Sequence, residues 1–253
     1  MTIIIKPTHP IASTGDLIPP HQVSHDGERI IDCIYGGGVA IVALDVAYAI
    51  IGCYESAIRK IFTAKHRSYE KPSGLLANSQ ISDEIHILPD EKRQMIREMI
   101  ARENLPFSVV APFHSDHPFF GKVDPFVLQN STKNKTIDIL LNAGVLHEEI
   151  ARRSWAAGQP VFGSSANTSL MGSKYRVQDI EQSVLDASDL VIDYGESKYI
   201  NSLGRSSTII DFSDFSVIRM GVMFDQLTLA FDKHFGIQLK TANSKNANSG
   251  ARQ

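Results

Sequence analysis

"KIFTAKHRSYEKPSGLLANS", residues 60–79, places Lys60, Lys65, Arg67 and Lys71 within a dozen positions. They fall where a helical pattern ends and just before the apolar run "GLLA". The stretch leading in, "ESAIRKIFTAKHR", carries Ala57, Ile58, Ile61, Phe62 and Ala64 at helical spacing. The cations are therefore expected in a helix-to-strand loop. The chain carries a net charge of −3 over 253 residues, so any anion that this cluster holds is held by a local patch.

Working outward, "VAIVAL", "FSVVAPF", "TIDILL", "PVFG", "DLVID", "STIIDF" and "SVIRMG" read as strands. "DEKRQMIREMIARE", "LHEEIARRSWAAG", "VQDIEQSVLDA" and "FDQLTLAFDKHFG" read as helices, and a further helix is expected from Asp26 to the break at Gly36-Gly37-Gly38. Strands and helices intermix, while adjacent strands near the C-terminus suggest hairpins. The expectation is a mixed α/β sheet in one domain over residues 25–236. Residues 1–24, rich in Pro, His and Thr, read as an extended arm. Residues 237–253 are polar and read as a disordered tail.

Hydrophobic residues make up 43% of the chain, ample for one sizeable core. No apolar run approaches the roughly 20 residues of a membrane helix. The apolar start of "MTIIIKPTHPIAST" is short and broken by Pro7 and Pro10, so no signal peptide is expected. Cys33 and Cys53 read as reduced thiols of a cytoplasmic protein. "HSDHP" offers His114, Asp116 and His117, but in no structural zinc spacing, so a solvated loop is the plainer reading and no metal site is assigned. The triple glycine lacks a GK[ST] continuation and reads as a tight turn. There is no nucleophile elbow or Ser-His-Asp order.

"GSSANTS", residues 163–169, follows the apolar "PVF". Small hydroxyl and amide side chains at a strand end can ring an anion together with backbone N–H groups, although an ordinary turn uses the same residues. Arg205-Ser206-Ser207-Thr208 and Arg219, at two later strand boundaries, favour the anion.

Taken together these pieces resemble the YrdC-like family, over about residues 28–222. "GGVAIVALDVAYAI" resembles a glycine pair, strand and T-D-T-V-Y-G-L. "KHRSYEKP" fits K-x-R-x-x-x-K-P, and "PFSVVAP" is similar to P-L-T-L-I-L-P. "TIDILLN" falls where T-V-x-V-R-x-P is usual. "GSSANTS" matches the S-A-N-x-S core, while "RSSTIID" and "VIRMG" resemble S-T-V-V-D and I-L-R-P-G. The resemblance implies a twisted mixed sheet around a concave, positive cavity that holds ATP. It implies a reaction of L-threonine, bicarbonate and ATP that gives threonylcarbamoyl-adenylate and pyrophosphate, as in tRNA modification. A tRNA-modification partner and double-stranded RNA binding are implied for some members. On this resemblance ATP is assigned to Arg67, Lys71, Thr136, Ser165, Asn167, Ser173 and Arg219. Lys65, Arg67 and Lys71 take the triphosphate in the chemical step, with magnesium sharing the charge. Lys60 lies outside the motif and reads as a solvated helix residue.

The amino-acid side departs from the pattern. The family's two threonines fall on Leu44 and Val46, a glycine on Ala49, and the arginine expected to pair with the substrate carboxylate on Leu140. Asp45, Tyr48 and Ser207 remain. Losing such a charged pair costs on the order of 2–5 kcal/mol of binding. Three readings follow: an enzyme of this type with a less polar amine as substrate; a threonine enzyme whose contacts are replaced by Arg152, Arg153 or Lys174; and a nucleotide- or RNA-binding protein without catalysis.

Overall fold

In a computed structural model, residues 2–6 and 11–241 are described. One mixed sheet runs through them in the order β1-β9-β2-β3-β8-β4-β7-β5-β10-β11, with β6 paired to β7 off that path. The strands are β1 (Ile3–Ile5), β2 (Ala40–Ala43), β3 (Tyr48–Gly52), β4 (Gly74–Leu76), β5 (Phe107–Pro112), β6 (Thr132–Lys133), β7 (Thr136–Leu141), β8 (Phe162–Ser165), β9 (Leu190–Ile192), β10 (Ile209–Asp211) and β11 (Ser216–Arg219). Eight helices accompany them among the described residues: α1 (Pro20–Tyr35), α2 (Glu55–Ala64), α3 (Ser79–Ile85), α4 (Asp90–Glu103), α5 (Pro125–Gln129), α6 (Val145–Ala157), α7 (Gln182–Asp186) and α8 (Phe224–Phe235). None is long and apolar enough to cross a membrane.

The burial pattern of β7 fixes the geometry of the sheet centre. Ile137, Ile139 and Leu141 are buried, while Thr136, Asp138 and Leu140 are half-buried. Successive side chains of a strand point to opposite faces, so the first three enter the core and the others face a concavity. The neighbouring strands obey the same rule. Phe107 and Val109 of β5 and Ile210 of β10 are buried in the core. Phe107 stacks on Phe212 at 6.4 Å, and Phe212 meets Phe231 of α8 edge-on at 6.0 Å. At the other end β2 and β3 are buried on both faces, as a continuous apolar run requires.

Several expectations change. The first helix starts at Pro20, not Asp26, because proline suits a first helical position. Within the expected arm, Ile3–Ile5 pair in parallel with β9. "VQDIEQSVLDA" is not one helix: Ile180 is extended (φ −75°, ψ 132°) between a short 3₁₀ turn and α7. That break brings the Glu181 carboxylate to the Thr168 N–H at 3.1 Å. Of the expected tail, residues 237–241 remain packed: Leu239 is buried, and Lys240 exchanges backbone hydrogen bonds with Phe215 and Val217 at 2.9 Å each. Residues 242–253 lie outside the described residues. The expected turn at the triple glycine forms with Gly37 at φ +89°.

β8 passes β3 so closely that a Cβ on Gly163 would sit 2.5 Å from the Ile50 carbonyl oxygen. Gly163→Ala is expected to cost about 1–3 kcal/mol through forced strand displacement. Urea unfolding reads this as a lower midpoint at unchanged slope; an unchanged midpoint contradicts the packing described.

Candidate functional site

Across the sheet, Asp138 stands opposite Val110, which stands beside Asp211; Leu140 stands opposite Ser108, which stands beside Ile209. These six side chains line a cavity of about 770 Å³. Gly74 and Gly163, paired across β4 and β8, also line it and keep that part of the wall free of side chains. Leu44, Val46, Tyr48 and Leu76 make an apolar wall. Lys65, Arg67, Lys71, Lys133 and Arg219 bring positive charge to the same space, against Glu70, Asp138 and Asp211. A volume of that size suits a small-molecule site.

Lys65 caps the C-terminus of α2 and is 1% exposed. Its ammonium donates to the carbonyl oxygens of Ser165 and Asn167. Burial, and then the Arg67 charge, push its pKa down to about 7, with Glu181 opposing. Lys65, expected as a triphosphate ligand, lines the cavity and spends two of its three donors on pinning the 165–167 loop to α2. On that loop the Ser165 hydroxyl donates to Asn167 Oδ1, and Asn167 Nδ2 donates to the Thr168 carbonyl. Glu181 finishes the brace, ion-paired with Lys174 at 2.8 Å.

Arg67 donates from Nε to the Lys71 carbonyl at 2.9 Å and from Nη2 to the Pro72 carbonyl at 2.7 Å. The guanidinium thereby closes the 67–72 loop on itself. Tyr69 in that loop stacks on Phe62 at 4.9 Å. Burial first, and Arg219 second, push the pKa of Arg67 down to about 10, so it stays charged at neutral pH. Arg219 donates to the Ser207 carbonyl from Nε at 3.0 Å and Nη2 at 2.7 Å, and to Ser207 Oγ at 3.0 Å. Lys71 is exposed at the cavity lip. Thr136 lines the wall, its hydroxyl donating to the Lys133 carbonyl at 2.7 Å.

Of the residues expected in the site, Lys65, Arg67, Lys71, Thr136, Ser165, Asn167, Arg219, Leu44, Val46, Tyr48, Leu140 and Ser207 line the one cavity. Ser173 and Asp45 do not. The Ser173 N–H bonds the Gly204 carbonyl at 2.9 Å, which ties it to the neighbouring loop. Asp45 is buried against Gly144, and its carboxyl, raised in pKa by burial, is held by Thr14 and Lys198. Tyr48 lines the cavity, but its hydroxyl is taken by the Asp193 carboxylate at 2.9 Å and the Gly195 carbonyl at 2.7 Å. The cations expected as replacements are committed elsewhere: Arg152 and Arg153 pair with Glu149, Lys174 with Glu181, and none lines the cavity.

Asp138 was not anticipated. It sits among the cavity-lining side chains of β7, and its Oδ1 meets no hydrogen-bond partner among the described residues. Burial raises its pKa from 3.8 to about 6, against the pull of Arg219, Ser108 and Arg67. The available signal was the alternation of "TIDILL", which puts Asp138 on the same face as Thr136 and Leu140.

The fold is mixed α/β, with a concave cavity rimmed by cations. The family model Sua5_yciO_yrdC, described as "Telomere recombination", matches residues 32–221, and the chain belongs to that family. Its fold is similar to a hypothetical protein of Streptococcus mutans UA159 (19% identity, TM-score 0.74, covering 94% of this chain and 97% of that one). It is also similar to Sua5 of P. abyssi, solved with L-threonine (19% identity, TM-score 0.67, 95% and 62%). A third similar structure is YciO of E. coli (19% identity, TM-score 0.60, 88% and 97%). The chain thus spans 62% of the P. abyssi protein. Comparison with curated proteins returned no match.

The raised pKa of Asp138 carries a consequence for stability. The native state binds this proton more tightly than the unfolded chain, so stability is full below pH 3.8 and is lost as pH rises toward about 6. Above that the ionised carboxyl costs on the order of 1–3 kcal/mol. Asp138→Asn is expected to raise the thermal midpoint clearly at pH 8 and little at pH 4.5. Equal shifts at both pH values contradict this assignment.

Proposed function

We propose that this chain is an ATP-dependent nucleotidyltransferase that forms a carbamoyl-type adenylate from an amine or amino acid, bicarbonate and ATP, releasing pyrophosphate. The observation that carries the reading is the convergence of Arg67, Lys71 and Arg219 with the braced Ser165–Asn167 loop on one cavity that has an apolar wall. Family membership supports it. The amine and bicarbonate first condense to a carbamate with loss of water, and a carbamate oxygen then attacks the α-phosphorus. One P–O bond forms, the bond to the bridging oxygen breaks, and pyrophosphate departs. No protein nucleophile is needed.

The chain's part is binding and charge placement. Arg67 and Arg219 offer guanidinium donors to phosphate oxygens, and Lys71 a mobile point charge. The side chains of Ser165 and Asn167, which line the same cavity, would meet the same anion. Fixed positive charge near the leaving group favours the transition state. Thr136 stands on the cavity face of β7. Magnesium would arrive with the triphosphate and share its charge.

P. abyssi Sua5 was solved with L-threonine. In this chain Leu44, Val46 and Leu140 turn hydrocarbon toward the cavity, so a free carboxylate meets no partner at those positions. An unpartnered charge is costly away from water. L-threonine is therefore a poor substrate for this chain, and an amine with more hydrocarbon a better one.

The test is pyrophosphate release from ATP and bicarbonate with a panel of amines and amino acids, beside calorimetric titration of ATP. Lys71→Ala is expected to weaken ATP binding about tenfold, and Arg67→Ala at least tenfold. Unchanged ATP affinity in both variants contradicts the triphosphate assignment. Turnover of threonine with a Michaelis constant of about 1 μM–1 mM contradicts the apolar-pocket reading. Intact ATP binding with no turnover of any amine would leave a nucleotide-binding protein without this activity.

A further inference from the structure

Asp138 stands in the cavity without a hydrogen-bond partner for Oδ1. A carboxylate offers about four acceptor sites, and a buried acceptor left empty costs free energy. The charges of Arg219 and Arg67 act on the carboxyl through space, but neither guanidinium donates to Oδ1. Arg67 is turned to the Lys71 and Pro72 carbonyls, and Arg219 to Ser207. Ser108, across the strand pair, lies 3.1 Å from the Ser207 hydroxyl and also hydrogen-bonds the Asp138 carboxyl, but does not reach Oδ1.

Two residues along β7 on the same face, Leu140 lines the cavity, and Leu44 and Val46 complete the apolar patch. Acceptor and hydrocarbon thus lie side by side. An ammonium with a short apolar body satisfies both, its N–H groups on the carboxylate and its carbon chain on the leucines. An α-amino acid in that place would bring its own carboxylate against Asp138, and like charges disfavour one another.

We propose that Asp138 is the specificity-determining residue of the second-substrate site, and that this site takes primary amines with a short apolar body and no free carboxylate. The proposal rests on the reading of the cavity as the site of an amine-consuming nucleotidyltransferase. Asp138 acts in recognition: it accepts hydrogen bonds from the amino group and sets it beside the apolar wall.

The experiment uses the full chain and matched pairs that differ only by a carboxylate: 1-aminopropan-2-ol against L-threonine, and ethylamine against L-alanine. Each is titrated calorimetrically, alone and with ATP present. The wild-type protein is expected to bind each amine at least tenfold more tightly than its amino acid. Asp138→Asn is expected to lose at least tenfold in amine affinity with no loss of ATP affinity, and Asp138→Ser to do the same while gaining on threonine. A merely structural role would lower the affinity for ATP and for both members of a pair together. A wild-type preference for the amino acids, or an unchanged ratio in both variants, overturns the proposal. Failure of ATP to bind defeats the nucleotide reading alone, because the titrations without ATP still decide the role of Asp138.

Discussion

The two-residue period of β7 is the constraint on which the rest depends. This strand pairs with β4 on one side and β5 on the other, in the middle of the sheet. Its odd-numbered residues 137, 139 and 141 fill the core, and its even-numbered residues 136, 138 and 140 face the cavity. A slip of one residue would put Asp138 into the core and Ile139 into the site. Three buried aliphatic side chains oppose that slip, each worth about 1.5–3 kcal/mol. The register that keeps the core dry therefore also sets the chemistry of the wall. From there the geometry propagates: Ser108 and Val110 of β5 and Ile209 and Asp211 of β10 continue the cavity-facing row, while the glycine pair on β4 and β8 opens space beside it.

The second support is the buried ammonium of Lys65. A buried charge is tolerated only when hydrogen-bonded, and this one is bonded to two carbonyls of the β8 loop. It joins the end of α2 to the strand end that carries Ser165 and Asn167. Arg67 does the same locally for its own loop, and Arg219 for Ser207. Each cation thus organises backbone before it meets any ligand. Such preorganisation lets a site stabilise charge without rearranging when the charge appears.

Much of this was legible in the sequence. The strands around "TIDILL", "FSVVAPF" and "PVFG" announce themselves by β-branched and apolar runs, and the helices before Gly158 and Gly236 by spacing and stop signals. The motif pieces predicted which loops meet. Short helices such as α3 and α5 escaped, since five to seven residues show too little periodicity. The break at Ile180 also escaped, because it serves a long-range contact of Glu181 that no local pattern encodes. The bracing role of Lys65 was hidden for a similar reason: a lysine in a basic motif reads as a ligand, and only the fold reveals two carbonyls around it. Ser173 and Asp45 have suitable chemistry, but their backbones are tied to other loops. Asp138 was visible as a charge in an alternating strand, yet its meaning depends on Leu140 beside it and on Oδ1 having no hydrogen-bond partner among the described residues.

The account rests on the cation rim and the β8 loop receiving a triphosphate. A crystal structure with a non-hydrolysable ATP analogue tests it most directly. The account predicts phosphate oxygens within hydrogen-bond distance of Arg67, Lys71 and Arg219 and of the Ser165–Asn167 loop, with the apolar wall of Leu44, Val46 and Leu140 left open beside them. A nucleotide bound outside this cavity, or with its phosphates turned to solvent and its base against Arg67 and Arg219, would contradict it.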